Sequence, residues 1–216
     1  MKQKVKKIGR PVKVSGEKAT RDKIFDAAVD LFAQRGYDGV SIRDIATAAG
    51  ITEGAVYRHF SSKEAILDAI FTFVESRIYP SAPEASLDAM IDVLPFREIL
   101  ESMPRAMLAD TDLTRVTRVM VAEMHHNKKI RAYVQRELFE RPVDETEQLF
   151  RKLMEKEKIK PCDPRALSTV FISYLVFWYF QTFIFNYGAP RDPDYLEKTA
   201  KAQISLFVDL VKLESA

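Results

Sequence analysis

Residues 41–63, SIRDIATAAGITEGAVYRHFSSK, read as two short helices joined by a tight turn, with a third helix starting at their end. Ile42, Ile45, Ala46 and Ala49 recur at i, i+3, i+4 and i+7, which is one face of a helix. Ser41, followed three residues later by Asp44, makes a start close to a capping box. Gly50 supplies the residue that turns the chain through positive φ, and Thr52 can cap the next helix through its hydroxyl. Ala46 is small where two crossing helices must touch, and Ile51, Val56 and Phe60 seat the second helix. The pattern predicts a helix-turn-helix.

The second helix then turns Glu53, Gly54, Tyr57 and Arg58 outward, with Thr52, Ala55 and His59 at its margins. A small, polar face of this kind fits the major groove of B-DNA, where it can read base edges. The plainer reading is an αα-hairpin within a helical protein, which also accommodates a glycine turn and a segment of only slightly positive charge.

The flanking sequence bears on that choice. Residues 24–67, IFDAAVDLFAQRGYDGVSIRDIATAAGITEGAVYRHFSSKEAIL, resemble the N-terminal domain of TetR-family transcriptional regulators, from the run LFAQRGYDGVS to the ending VYRHFSSKEAIL. The resemblance implies an all-α protein: a three-helix helix-turn-helix DNA-binding domain and a larger C-terminal helical domain for ligand binding and dimerisation. Such a homodimer is usually a repressor, released from a palindromic double-stranded operator by a small molecule. Carried over residue by residue, Arg43, Glu53, Gly54, Tyr57 and Arg58 fall where the family's base-proximal residues lie. Ser41, Thr52, Ala55, His59 and Lys63 fall where its phosphate contacts are made, and Tyr57 can serve in either role. The expected division is an arm over 1–16, the DNA-binding domain over 17–62 and the C-terminal domain over 63–216.

Composition is compatible with this. A chain of 216 residues, 47% of them hydrophobic, can bury one or two cores. Its net charge of +2 is unevenly spread, because residues 1–23 hold nine Lys/Arg against Glu17 and Asp22. That is +7 at the DNA-binding end and −5 elsewhere. Cys162 has no second cysteine to pair with, and the opening MKQKVKK has no apolar run behind it, so the expected compartment is the cytoplasm. Residues 1–16 lack periodicity and read as a disordered basic arm. KKIGRPVK resembles part of the minor-groove core of AT-hooks, with Ile8 where the first arginine would stand. Either Arg10 enters the minor groove or the arm is a solubilising tail.

Along the chain, Ile24, Ala27, Ala28, Leu31 and Phe32 form the stripe of a first helix that Gly36 ends, with Tyr37 supplying the accompanying apolar contact. Ser61 and Glu64 have capping-box spacing for a helix that starts near Ser62 or Lys63 and stops at Pro80 and Pro83. Lys63 is poorly placed for that helix's dipole, so a DNA phosphate is the expected partner for its charge. Further helices are expected over 85–94, from 95 through 107, over 112–123, and over 127–158 as one helix or two, with Pro142 kinking it or opening its second half. No stretch alternates as a strand does.

Residues 166–187, ALSTVFISYLVFWYFQTFIFNY, are long enough to span a bilayer, but Ser168, Thr169, Ser173, Gln181 and Thr182 interrupt them, and burial without a membrane partner is the reading adopted. The family resemblance makes this segment and 194–213 the dimer interface. One face carries Val170, Ser173, Phe177, Phe180 and Ile184, and another Phe171, Tyr174, Trp178 and Gln181. The second face, with Met107 and Met120 and flanked by Met103 and Met124, is expected to line a pocket for a small hydrophobic effector. The alternative is that these groups are satisfied in a packed core or at the dimer seam. Catalysis, a metal site and a cofactor find no support: His125 and His126 point apart on a helix, and Glu123 with His126 is half of a carboxylate-bridged metal motif. Besides the ligand-responsive regulator, the alternatives are a ligand-independent DNA-organising protein of the same fold and an unrelated helical sensor or enzyme that borrowed the hairpin.

Overall fold

The computed structural model describes residues 19–79, 85–186, 188–190 and 192–212, and every regular element among them is helical. The basic arm with Arg10, and the stop signals Pro80 and Pro83, lie outside the described residues. Helices α1 (Thr20–Arg35), α2 (Ile42–Ala48) and α3 (Glu53–Tyr57) form the helix-turn-helix unit, and α4 (Lys63–Ile78) leads out of it.

Local chemistry sets these boundaries. Ser41 Oγ accepts from the Asp44 N–H at 3.2 Å while Asp44 Oδ2 accepts from the Ser41 N–H at 2.8 Å, a complete capping box. The Ser41 hydroxyl and N–H hold the Asp44 carboxyl below its usual range. Gly50 takes φ 67°, and Thr52 Oγ1 accepts from the Ala55 N–H at 3.2 Å to start α3. At α4 the structure corrects the expected box: the cap is Ser62, whose Oγ accepts from the Ala65 N–H at 3.2 Å. Ser61 stands one residue too early to reach that amide.

The remaining chain forms α5 (Ala85–Val93), α6 (Phe96–Ala109), α7 (Thr111–Glu123), α8 (Lys128–Tyr133), α9 (Arg141–Glu155), α10 (Pro164–Tyr179) and α11 (Pro193–Val211). The stretch around Pro142 is a single run. α8 passes through a π-helical turn, Val134–Glu140, into α9, and Arg141 donates its N–H to the Arg136 carbonyl five residues back. Pro142, which has no N–H to donate, stands in the first turn of α9 just after this wider turn and so opens the second half of the run. A second π-helical turn, Phe180–Phe185, extends α10.

Two main cores result. One joins Ile24, Phe32, Ile45, Val56, Ile66, Ile70 and Val74 of α1–α4 to Val116, Met120, Ile130 and Val134 of the α7–α8 run. The other packs Ile99, Leu100, Phe150, Leu153, Phe171, Leu175 and Ile204 from α6 and α9–α11. The first core seats the helix-turn-helix unit directly on α7 and α8.

Candidate nucleic-acid interface

In α3, Val56 and Ala55 are buried, as is Phe60 just beyond, whereas Glu53, Gly54, Tyr57, Arg58 and His59 are exposed. Burying one edge of so short a helix leaves the opposite edge to solvent, and Tyr57, a large aromatic, is 54% exposed there. Arg43 on α2, Ser41 at its cap and Thr52 in the turn are exposed as well. Ala55, expected at the margin of the contact face, is turned inward instead. Its N–H is already taken by Thr52.

Lys63 differs most from expectation. Its Nζ donates to the Tyr37 and Val40 carbonyls at 2.9 and 3.0 Å and lies 4.3 Å from the Tyr37 ring centroid. The charge that the helix dipole disfavours is therefore met from within, by the carbonyls of the α1–α2 connection. Lys63 ties that connection to α4.

Two further residues hold the unit in place, and nothing local in the sequence marks them. Glu123, the last residue of α7, accepts the Tyr37 N–H on Oε2 at 2.8 Å. Arg115 of α7 reaches α1, donating to Asp26 at 2.6 Å and Asp30 at 2.9 Å. Burial pushes the Tyr37 phenol up to about 12.

The six residues expected to line an effector pocket are not brought together. Met120 lies in the core beneath the helix-turn-helix unit, Phe171 lies in the second core, and Met107 packs with Trp178 in a third small cluster. Tyr174 borders the second and third clusters, and Gln181 is exposed. Gln181 stands in the π-helical turn that begins at Phe180. Between α6 and α11 there is a cavity of about 10 Å³ lined by Pro104, Arg105, Leu108, Glu197, Ala200 and Ile204 among others, and by none of the six. The Tyr174 hydroxyl is buried without a hydrogen-bond partner, and burial pushes its pKa up to about 12. His125 and His126 are exposed, and among the described residues no group of three potential metal ligands converges.

The family model for bacterial regulatory proteins of the tetR family matches residues 24–70. The HTH-type transcriptional repressor KstR2 of Rhodococcus jostii is 48% identical over 56 residues, which cover 26% of this chain and 28% of that protein. The AcrR regulator of Shigella flexneri is 44% identical over 59 residues, covering 27% of each chain. The chain thus spans little more than a quarter of the length of these two curated relatives. Beyond that segment the likeness is one of fold. A TetR family transcriptional regulator from Pseudomonas syringae superposes with a TM-score of 0.66 at 21% identity, over 91% of this chain and 98% of that one. The helix-turn-helix segment thus has the sequence of the tetR family of bacterial regulatory proteins, and most of the chain has the fold of a TetR family regulator.

Proposed function

We propose that this protein is a sequence-specific DNA-binding transcriptional regulator that acts as a homodimeric repressor on a palindromic operator. The observation that carries the reading is the free edge of α3, where Glu53, Gly54, Tyr57, Arg58 and His59 project with Arg43 alongside while Val56 and Phe60 anchor the helix from behind. Arg43 and Arg58 read base edges, and Ser41, Thr52 and His59 lie along the phosphates. The name repressor borne by KstR2 supports the sign of regulation. The test is selection of bound fragments from genomic or random DNA with purified protein. An enriched palindrome supports the reading, and failure to enrich any site would sink it.

Effector release is the second part of the proposal. Its support is the buried, unpartnered Tyr174 hydroxyl beside Trp178 and Met107, where a hydrogen-bond-accepting apolar molecule could satisfy the phenol once α6 and α11 part. Close packing of the same cluster favours the rival reading, a ligand-independent DNA-organising protein. Trp178 is the chain's one tryptophan, so its fluorescence reports on this spot directly. A compound that changes the emission and weakens operator binding supports release, and reciprocity requires DNA to weaken that compound by the same factor.

A further inference from the structure

The fold takes Lys63 away from the phosphates, because both carbonyls that hold its charge lie inside the protein. Arg21 has the freedom that Lys63 lacks. It stands in the first turn of α1, exposed, with its guanidinium carbon 5.0 Å from the centre of the Phe60 ring. Phe60 is buried and closes the segment that carries Tyr57, Arg58 and His59 on the free edge. A charge from the start of the first helix is thus set at the C-terminal end of the reader.

The plain reading of this contact is a staple. A cation over an aromatic face holds α1 to the end of α3 and contributes about 0.5–1 kcal/mol at an exposed site. The pairing of the neighbouring arginines argues for more. Residues 19–79 hold five of them. Arg35 lies 3.7 Å from Asp44 and Arg77 lies 3.1 Å from Asp110, each on a carboxylate. Arg43 and Arg58, on the edge assigned to DNA, have no carboxylate partner among the described residues, and Arg21 falls with these two. Its guanidinium keeps five N–H donors in a planar fork that matches a phosphate group, and the ring beneath fixes where that fork stands.

We infer that Arg21 is a DNA-phosphate contact, gripping the backbone at the end of α3 far from its Thr52 cap. The ligand is a phosphate oxygen of duplex DNA, so the contact sets register and affinity and reads no base. The inference rests on the reading of the α3 edge as the DNA-binding face.

Arg21→Met keeps an apolar cover on Phe60 and removes the charge, whereas Arg21→Lys keeps the charge. The readout is the slope of log affinity against log salt, measured with full-length wild type and variants on the selected operator and on an arbitrary duplex. Each phosphate neutralised accounts for about 0.9 of that slope, so Arg21→Met should flatten it by about 1.8 for a dimer on both DNAs. Affinity should fall about tenfold, as loss of a hydrogen bond to a charged group suggests, with preference among operator variants at the wild-type value. Arg21→Lys should restore the slope. A wild-type slope in Arg21→Met leaves only the staple and overturns the inference, whatever happens to the unfolding midpoint. Relaxed preference at constant slope overturns it too, by making Arg21 a base reader. If the wild type enriches no site yet holds an arbitrary duplex, the functional reading falls and the slope still decides. If it holds no duplex, both fall.

Discussion

At the scale of single residues, the reader separates groups that face solvent from groups that hold it together, and the two should respond differently to truncation. Arg43→Ala or Arg58→Ala should cost about 1–3 kcal/mol of discrimination at the base each one reads while leaving thermal stability unchanged, which competition binding with operator variants measures. Lys63→Met should do the reverse. It strips two carbonyls of a charged donor, so it should lower stability by about 1–3 kcal/mol in a denaturant titration, and DNA affinity only through that loss. An unchanged unfolding midpoint in Lys63→Met would return the residue to the phosphate role that its sequence position suggests. Alkaline pH probes the same corner. The Tyr37 phenol is raised from 10 to about 12 in the fold, so the neutral form is favoured there. Its contribution to stability is complete below pH 10 and is lost as pH climbs through 12. Tyr37→Phe should flatten the fall in stability across that window. The caps at Ser41 and Thr52 were legible because a cap reaches only three residues ahead. Lys63 was not, because its acceptors lie 26 and 23 residues upstream.

At the scale of elements, periodicity located the helices, and what it could not supply was a change of pitch. The proline at 142 left two outcomes open, a kink or a new start, and the chain takes the second: Pro142 stands in the first turn of α9, which follows the wide Val134–Glu140 turn. The same effect relocates the outer edge of the aromatic helix. Counting at 3.6 residues per turn puts Ile184 on the edge that Val170 and Phe177 define, but the extra residue of the Phe180–Phe185 turn leaves Ile184 half-buried and exposes Phe185. In α3 the instructive residue is Gly54. A Cβ built there meets no atom within 4 Å, so within the protein alanine has room and should stabilise the helix by about 0.5–1 kcal/mol. Since this is the edge assigned to the major groove, Gly54→Ala should raise the melting temperature and yet weaken operator binding. If both rose together, DNA would have to approach by another face.

At the scale of the whole molecule, the sequence reads as a small domain followed by a larger one, and one of the two main cores crosses from the first to the second. The core under the helix-turn-helix unit takes Val116, Met120 and Ile130 from α7 and α8, contacts between distant segments that no local pattern announces. The aromatic segment is a related case: Pro164–Phe185 is long and apolar enough to cross a membrane, yet 44% of its most apolar window is buried against the rest of the chain. What stays outside is a line rather than a belt. Phe177 is 64% exposed on α10, and Leu206 and Leu210 are 68% and 67% exposed at i and i+4 on α11. A lipid-facing helix would be apolar around most of its circumference, whereas these helices leave one edge apolar and pack the other, as a surface shared with a second copy does. A two-fold axis beside these edges would bury each copy's residues against the same residues of the other and would set two readers side by side for a palindrome. Phe177→Glu places a charge on that edge without touching either main core, so it should convert dimers to monomers at micromolar concentration while leaving helix content intact. Specific operator binding should fall with the dimer, because one reader recovers only half of the contacts. Light scattering and competition binding on the same samples decide the matter: a dimeric Phe177→Glu variant moves the interface elsewhere, and a monomeric variant with wild-type specificity removes the need for one.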